Sequence, residues 1–407
     1  MSEISEKVHI TPLAERPIDI ILLGATGFTG QIIAKHLALN APLSLKWSIS
    51  GRSTTKLAAL FSSLKAEPAA VNLPSLAPLD STSLTTLVST ARVAICTIGP
   101  ATLHAEPFLR ACVEAGTAWL DLNGEMPWYA EMLRKYDSLA RQTGAIIIPT
   151  CGFDSIPSDL TTLTLRLHAH STSPTTPLTR VSTILESLKG SISNGSYSSI
   201  LSIFDAFPNP LDFLHKPYIL SSPTLTSEQT SSLHPQRTGI SVQKITDPDL
   251  IFANKTRTQD SPQLDAKGGA LASMGMIEGI NRSVVLRTSA LSTLHPTSLP
   301  QPEFDYREYL LTPPSRCPGK AKATAYATSF FVHRVIPRLM STRFTRRLMQ
   351  KGVNKFQPPG TGPSDSMQEE GYWRYRSVGE TEGGKGRGVW MDWRRGCGGG
   401  GLYSWDA

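Results

Sequence analysis

A glycine cluster near the start of the chain constrains the fold more than any other feature. It reads Gly24-Ala25-Thr26-Gly27-Phe28-Thr29-Gly30, follows the short apolar run Asp19–Leu23 and leads into Phe28–Leu39, where apolar residues recur at helical spacing. The first glycine of such a loop permits a tight turn, the second lets a ligand approach the backbone, and the third lets the helix pack close to the strand. The pattern predicts a strand, a loop and a helix whose N-terminal N–H groups face a phosphate.

Strands and helices continue to alternate after this loop. Short strands separated by single helices indicate right-handed crossovers and a parallel sheet. The further predicted strands are Leu45–Ser50, Ala69–Leu79, Val93–Ile98, Ala118–Leu122 and Ala145–Thr150, and the further predicted helices are Thr54–Leu64, Ala105–Ala115, Trp128–Arg141 and Ser155–Leu167.

The later part of the chain has a different character. The Ser/Thr/Pro-rich stretch His168–Pro177 ends the alternation, and the strand-like segments Arg180–Leu188 and Ser283–Leu291, with a helix candidate at Ser196–Asp205, indicate a mixed second domain. We therefore expect an α/β protein in which an N-terminal Rossmann-type, doubly wound parallel sheet precedes a mixed α+β domain. The expected divisions are a polar leader (1–16), a cofactor-binding domain (17–165), a substrate or oligomerisation domain (166–370) and an atypical C-terminal segment (371–407).

The end of the second predicted strand bears on which dinucleotide binds. In NAD sites an Asp or Glu at this point binds the ribose 2′-hydroxyl. Here the chain reads Ser50-Gly51-Arg52-Ser53 and then has Lys56, and a guanidinium with a hydroxyl suits a 2′-phosphate through charge-assisted hydrogen bonds. The sequence therefore favours NADP(H) over NAD(H). The alternative is that Arg52 is a solvated surface residue.

The remaining cofactor candidates follow the fourth predicted strand, because ligands of such sheets lie beyond the carboxyl ends of the strands. Gly99 permits close approach of a cofactor, and Pro100 stiffens the chain after it. The expected cofactor-binding residues are Gly24, Thr26, Gly27, Phe28, Thr29, Gly30, Arg52, Ser53, Lys56, Thr97, Gly99 and Pro100.

Two later strand ends place carboxylates and hydroxyls beside glycines. Such groups can orient a substrate or transfer a proton, and Glu125, Asp154 and Ser155 are the catalytic candidates. The alternative for Asp154 and Ser155 is structural, since Asp and Ser commonly cap the helix that follows. Cys151 has no identifiable partner base and is expected to be incidental.

Composition narrows the class of protein. Hydrophobic residues make up 40% and charged residues 18% of the chain, which is typical of a folded protein. No apolar run reaches the roughly 18 residues of a membrane-spanning helix, and the first residues lack a signal-peptide pattern. The five cysteines share no CxxC or metal-ligand spacing, which predicts reduced thiols and no metal site. We expect an intracellular, cytoplasmic protein.

Basic residues are concentrated late in the chain. The formal charge is +7, and no Asp or Glu occurs between Leu310 and Ser364. Within this stretch the segment Thr328–Met349 alternates apolar residues with arginines, which predicts an amphipathic basic helix kinked at Pro337. Such a helix could lie on an anionic lipid surface; the alternative is a core-facing helix with a solvated arginine face. No nucleic-acid-binding motif accompanies the charge, so no nucleic-acid partner is expected.

Five motifs occur in order between Gly24 and Leu160: GATGFTG, SGRSTTKL, TIGP, DLNGE and GFDSIPSDL. Together they resemble the saccharopine dehydrogenase-like oxidoreductases, a family that includes trans-acting enoyl reductases of bacterial glycolipid synthesis and a eukaryotic branch associated with lipid droplets. Two later segments, Asn194–Ser199 and Gly360–Ser364, resemble the family's second domain. The resemblance implies an NADP(H)-dependent reduction of an enoyl or carbonyl group in a lipid-linked small molecule.

Competing functions are also constrained by sequence. Short-chain dehydrogenases share a similar glycine loop but use a Tyr-x-x-x-Lys pair, and no tyrosine here is followed by lysine at that spacing. The rival to an enzyme is a non-catalytic protein that binds NADP(H) on a membrane or lipid droplet. The segment Lys385–Ala407 resembles no part of the family, which predicts a truncated or mispredicted C-terminal end. A homodimer, and contact of Thr328–Met349 with a droplet or membrane surface, complete the expectations.

Overall fold

The chain contains two compact units. Unit 1 consists of Met1–Gly152, Ser193–Ala206 and Gln350–Gly362, and unit 2 consists of Phe153–Ile192, Phe207–Met349 and Pro363–Ala407. Residues 1–10 of the expected leader and 395–407 of the expected C-terminal segment lie outside the described residues. The computed structural model describes residues 11–79, 84–172, 178–211, 216, 219–220, 271–273, 276–292, 304–311, 323–324, 327–328, 330–381 and 386–394.

Regular structure alternates as predicted in the first part of the chain. The strands are β1 (Ile18–Leu23), β2 (Trp47–Ser50), β3 (Ser75–Leu76), β4 (Ala91–Cys96), β5 (Ala118–Asp121), β6 (Ile147–Ile148), β7 (Leu178–Lys189), β8 (Leu271–Ser273), β9 (Asp305–Leu311), β10 (Tyr372–Thr381) and β11 (Gly386–Arg394). The helices are α1 (Phe28–Asn40), α2 (Thr54–Ala66), α3 (Leu84–Ser89), α4 (Ala101–His104), α5 (Glu106–Ala115), α6 (Met126–Thr143), α7 (Ile156–Thr172), α8 (Asn194–Ala206), α9 (Met276–Ser292), α10 (Ile336–Ser341), α11 (Arg343–Phe356) and α12 (Asp365–Glu369).

Unit 1 is built on a six-stranded parallel sheet in the order β3-β2-β1-β4-β5-β6. The chain winds from β1 outward to β3 and then restarts at β4 on the other side of β1, so the winding direction reverses between β1 and β4. Ile21, Leu22 and Leu23 of β1 are fully buried, as expected of a parallel strand covered on both faces. This order confirms the predicted Rossmann-type sheet, whose ligands lie at the reversal, beyond the carboxyl ends of the strands.

Unit 2 is built on a mixed five-stranded sheet in the order β11-β10-β7-β9-β8. β7 pairs parallel with β9 and antiparallel with β10. α7 packs on β10, and α9 packs on α7 and β9. Leu165, Val181 and Val285 are buried together in the resulting core. The predicted mixed α+β second domain is confirmed.

One predicted strand is wrong. Ser283–Leu291 lies within helix α9, where the buried residues Asn281, Val285 and Ser289 recur every four positions. Adjacent valines favour a strand by propensity. The buried positions nevertheless follow a helical repeat, and Asn281, Ser283 and Ser289 among them are polar, so a hydrophobicity pattern does not reveal them.

The ends of the expected domains also differ from the structure. The predicted boundary at residue 165 falls inside α7, which lies in unit 2. The segment 371–407, expected to be atypical, contains β10, an interior strand whose Tyr375 is buried. At the other end of the chain Arg16, the last residue of the expected leader, is buried and donates to the Ala91 carbonyl oxygen at 2.8 Å.

The basic segment Thr328–Met349 is helical over much of its length. A π-helical turn, Phe331–Val335, runs directly into α10 and ends just before Pro337, so the helix is irregular where the proline was expected to disturb it. The helical stretch ends at Thr342, which is extended with φ −104° and ψ 141°. Within the described part of the chain, none of the helices combines the length and apolar character needed to cross a membrane.

Candidate functional site

The phosphate loop Gly24–Gly30 connects β1 to α1 and is held by the ends of two neighbouring strands. The N–H groups of Gly24 and Ala25 donate to the Ser50 carbonyl oxygen, at the end of β2, at 3.0 and 3.1 Å. On the β4 side the Thr97 hydroxyl lies 3.0 Å from the Gly24 carbonyl oxygen, to which it donates. Thr97 therefore shapes the loop, a role additional to the cofactor contact predicted for it.

Two of the loop glycines are required by geometry. Gly24 has φ +78°, in the left-handed region that favours glycine. A Cβ added at Gly30 would lie 2.8 Å from Ala25 Cα and would also meet the Gly24 carbonyl oxygen, so α1 could not pack this close to the loop with any other residue. These positions match the turn and packing roles expected from the sequence.

The loop fits a dinucleotide phosphate. Gly27, the residue before α1, offers no side chain to cap the helix, so its first-turn N–H groups remain donors for an anion. A Cβ at Gly27 would have only the Gly24 carbonyl oxygen, at 3.4 Å, within 4 Å, so this side of the loop is open. The buried Ser50 hydroxyl has no hydrogen-bond partner among the described residues. The N–H groups of Phe28, Thr29 and Gly30 could hold the pyrophosphate of NADP(H).

The residues expected to select the 2′-phosphate lie just after β2 and in the first turn of α2. Arg52 is exposed and forms no ion pair within the part of the chain that the structure describes. The Ser53 oxygen caps α2 by accepting from the Lys56 N–H at 3.3 Å, which leaves the Ser53 hydroxyl proton as a donor. Lys56 is exposed on the first turn of α2. A guanidinium, a hydroxyl and an ammonium are thus grouped where a ribose phosphate would lie.

Glu125 is buried, and both of its carboxylate oxygens accept hydrogen bonds. It is 1% exposed, and its carboxylate accepts from the N–H groups of Ala101 and Thr102, both at 2.8 Å, and from the Thr102 hydroxyl. α4 begins at Ala101, directly after the Gly99–Pro100 loop. Glu125 therefore anchors the helix that follows this cofactor candidate. Because both carboxylate oxygens are occupied, the geometry favours positioning over the predicted proton transfer.

Sequence reasoning missed Asp121, although the DLNGE motif contains it. Asp121 is buried at the end of β5, where it accepts from the Asn123 N–H at 2.9 Å, the Thr150 N–H at 3.2 Å and the Trp119 indole N–H at 2.6 Å. Burial raises the pKa of Asp121 to about 6, and the neighbouring Glu125 carboxylate acts in the same direction. Asp121 organises the loops after β5 and β6. The signal that could have found it was a carboxylate directly at a strand end.

The other two catalytic candidates lie in unit 2 and differ from each other. Ser155 is buried, and its hydroxyl lies 3.5 Å from Asn281 Oδ1. Ser155 thus contributes to packing between α7 and α9, and its hydroxyl bonds to α9 instead of capping α7. Asp154 retains exposed surface and makes no hydrogen bond to another described residue. The protein atoms around its carboxyl displace water, and this desolvation raises the pKa of Asp154.

Unit 2 also contains a buried polar cluster around Glu308. Glu308 is 0% exposed, and its Oε2 accepts from the Asn281 amide at 2.7 Å, the Tyr306 hydroxyl at 3.1 Å and the Ser158 hydroxyl at 3.3 Å. Its second oxygen, Oε1, has no partner among the described residues. Burial raises the pKa of Glu308 to about 8, although hydrogen bonds from Asn281 and Tyr306 oppose the shift. The hydrophobicity pattern gave no sign of this cluster.

Known proteins resemble the chain along most of its length. The saccharopine dehydrogenase NADP binding domain matches residues 20–148. A Mycobacterium tuberculosis protein named as a candidate trans-acting enoyl reductase is 32% identical over 372 residues, which cover 88% of this chain and 80% of that protein. A trans-acting enoyl reductase of Mycobacterium ulcerans is 28% identical over 373 residues, which cover 89% of this chain and 80% of the relative. Among solved structures, an amine dehydrogenase from Mycobacterium smegmatis covers 97% of this chain and 84% of its own at 16% identity, with a TM-score of 0.30.

The part of the chain that matches the NADP-binding domain lies in unit 1. The matched NADP-binding domain spans most of the parallel sheet and includes the phosphate loop and Arg52. The protein is an NADP(H)-dependent oxidoreductase. It belongs to the saccharopine dehydrogenase-like oxidoreductase family, in the branch of the trans-acting enoyl reductases.

Proposed function

We propose that the protein uses NADPH to reduce an enoyl or carbonyl group of a lipid-linked small molecule. The observation that carries the proposal is an open phosphate loop with Arg52 at the adjacent strand end, in a chain whose relatives are named trans-acting enoyl reductases. When bound, NADPH supplies the hydride, and the protein supplies orientation and a proton. Glu125 and Asp121 would fix the loops after β4 and β5 that face the reacting groups.

Asp154 is the proposed proton donor. Of the three candidates predicted from the sequence, Glu125 is held by two backbone N–H groups and Ser155 faces Asn281, whereas Asp154 has no hydrogen bond to another described residue. Its raised pKa favours the protonated acid, the form that can donate.

A turnover screen tests this function. The full chain with NADPH is expected to oxidise the cofactor in the presence of enoyl or keto lipid thioesters and not with amino-acid substrates, as followed by NADPH absorbance. Asp154→Asn is expected to lower kcat by about a hundredfold while the NADPH Kd stays within about twofold, because it removes the acid and keeps the shape. Tight NADPH binding with no turnover of any lipid would favour the non-catalytic alternative.

A lipid surface is the proposed location of the substrate. In α11 the exposed face carries Phe344 and Leu348, which lie one turn apart and are 77% and 61% exposed. Arg343 and Arg347 are exposed on the same helix, while Arg346 is buried and donates to the Met340 carbonyl oxygen. In this helix Phe344 and Leu348 do not form a core-facing stripe, which supports the proposed surface. Exposed apolar side chains beside arginines suit an anionic lipid surface.

Vesicle flotation tests this surface. The full chain is expected to float with vesicles that contain phosphatidylserine, and the double variant Phe344→Ser/Leu348→Ser is expected to lose about tenfold or more in vesicle binding, because two large apolar groups no longer leave water. Leu43→Ser is the matched control, since Leu43 is 83% exposed outside this segment. Equal vesicle binding by the double variant and the control would count against the surface.

A further inference from the structure

Two short segments from later in the chain return to unit 1, Ser193–Ala206 and Gln350–Gly362. We call them the returning segments. The buried Asn194 ties them together, because its amide donates to Asn354 Oδ1 at 2.8 Å and to the Gln357 carbonyl oxygen at 2.6 Å. The two segments therefore form one piece of structure although they are far apart in the sequence.

The second returning segment ends against the phosphate loop. A Cβ added at Gly362 would lie 2.5 Å from Cζ and 2.6 Å from Cδ1 of the Phe28 ring. Such distances are shorter than van der Waals contact, so only glycine fits while the ring keeps its place. Phe28 begins α1 directly after Gly27, so the position of its ring is linked to the helix N-terminus that faces the phosphate.

The first returning segment lies against the loop after β4. α8 contacts α4, and a Cβ at Gly99 would lie 3.7 Å from the Ser199 hydroxyl oxygen. Gly99 follows β4, and Phe28 follows β1 through the phosphate loop. These are the two strands between which the winding direction reverses. The returning segments thus contact both loops that would surround the dinucleotide.

We propose that the returning segments are part of the NADP(H) site and that Gly362 is a positioning residue, which seats the Phe28 ring and through it the first turn of α1. The inference rests on the cofactor use in the proposed function. It also gives a role to the NGSYSS and GTGPS segments, which the alternation of strands and helices left unexplained.

Gly362→Ala in the full chain tests the proposal. The added methyl group must displace the Phe28 ring, so NADPH binding, measured by the fluorescence of the bound cofactor, is expected to weaken by about tenfold or more. Gly352→Ala is the matched control, because it adds the same methyl group to the same returning segment at a position with no atom within 4 Å. Its NADPH Kd is expected to stay within about twofold of wild type.

Phe28→Ala distinguishes seating of the ring from a general loss of folding. Alanine lacks every ring atom that the new methyl group would meet, so adding Gly362→Ala to Phe28→Ala is expected to cost less than about twofold more in Kd. This pair of variants tests the ring contact even if Gly362→Ala alone misfolds by circular dichroism. The proposal is wrong if Gly362→Ala binds NADPH like wild type, or if the double variant binds NADPH tenfold more weakly than Phe28→Ala. Absence of lipid reduction by wild type would overturn the proposed function and leave this binding result intact.

Discussion

Arg52→Ala is expected to weaken NADPH binding by about tenfold to a hundredfold and to leave NADH binding nearly unchanged. A hydrogen bond to a charged group contributes roughly 1.5–3 kcal/mol, and about 1.4 kcal/mol corresponds to a factor of ten in affinity. Arg52 is exposed and forms no ion pair within the described ranges, so its removal should leave no buried charge unpaired. The loss should therefore appear only with the cofactor that carries the 2′-phosphate.

Fluorescence titrations with NADPH and with NADH measure this selectivity. Lys65→Ala is the matched control, because Lys65 is an exposed cation at the other end of α2. Arg52→Lys should retain part of the affinity for NADPH, since lysine keeps the charge and loses the forked donor geometry. An equal loss of NADPH and NADH affinity in Arg52→Ala would contradict a contact with the 2′-phosphate.

Glu308→Gln is expected to change how the free energy of unfolding depends on pH. The folded pKa of Glu308 is about 8, above its ordinary value of 4.5, so the folded state holds this proton more tightly than the unfolded chain. The contribution of Glu308 is fully present below pH 4.5 and is lost as pH rises through about 8. The maximum slope from one such group is about 1.4 kcal/mol per pH unit. Glutamine stays neutral, so the variant should lack this loss.

The groups that face Glu308 support the assignment of this pH dependence to Glu308. Asn281 and Ser158 do not titrate, while burial raises the pKa of Tyr306 and of Tyr375 well above the usual tyrosine range, so both phenols stay neutral. Glu278 is a further acidic neighbour and raises the pKa of Glu308. Glu308 is therefore the group of this cluster expected to change charge between pH 6 and pH 9.

Urea unfolding at several pH values measures the effect. Glu308→Gln should be more stable than wild type at pH 9, by roughly 4–5 kcal/mol, and within about 1 kcal/mol of wild type at pH 5. Asp121 and Asp159, whose pKa values are both raised to about 6, act at lower pH and are present in both proteins. Glu114→Gln is a control at a partly exposed carboxylate paired with Arg110. A Glu308→Gln curve that falls in parallel with wild type up to pH 9 would refute the assignment.

The chain's local features could be predicted from sequence because they depend on neighbouring residues. The phosphate loop needs glycine at fixed places, and the predicted helix Phe28–Leu39 matches α1 within one residue. Short elements were less predictable. The predicted strand Ala69–Leu79 is reduced to Ser75–Leu76, since the extent of an edge strand depends on the neighbour it pairs with.

The candidate site also contains residues that the local sequence predicts and residues whose role depends on remote contacts. Arg52 and the glycines could be named because each lies within a few residues of a strand end. The partners of Glu125 lie at the start of α4, at Ala101 and Thr102, and the repeat pattern of the sequence carries no sign of these hydrogen bonds. When the partners are unknown, a carboxylate that anchors α4 is easily taken for a proton donor. Asp154 and Ser155 are neighbours in sequence, yet Ser155 is buried against Asn281 and Asp154 is exposed.

By itself, the sequence determined that a strand, a glycine loop and a helix would form a phosphate-binding turn with a cation at the next strand end, because backbone conformation and charge there are local properties. Only the tertiary structure decided the strand order, which reverses between β1 and β4, and the return of Gly362 to the Phe28 ring. Those contacts join residues that are remote in the chain, and their energies come from burial and packing that exist only once both partners are in place.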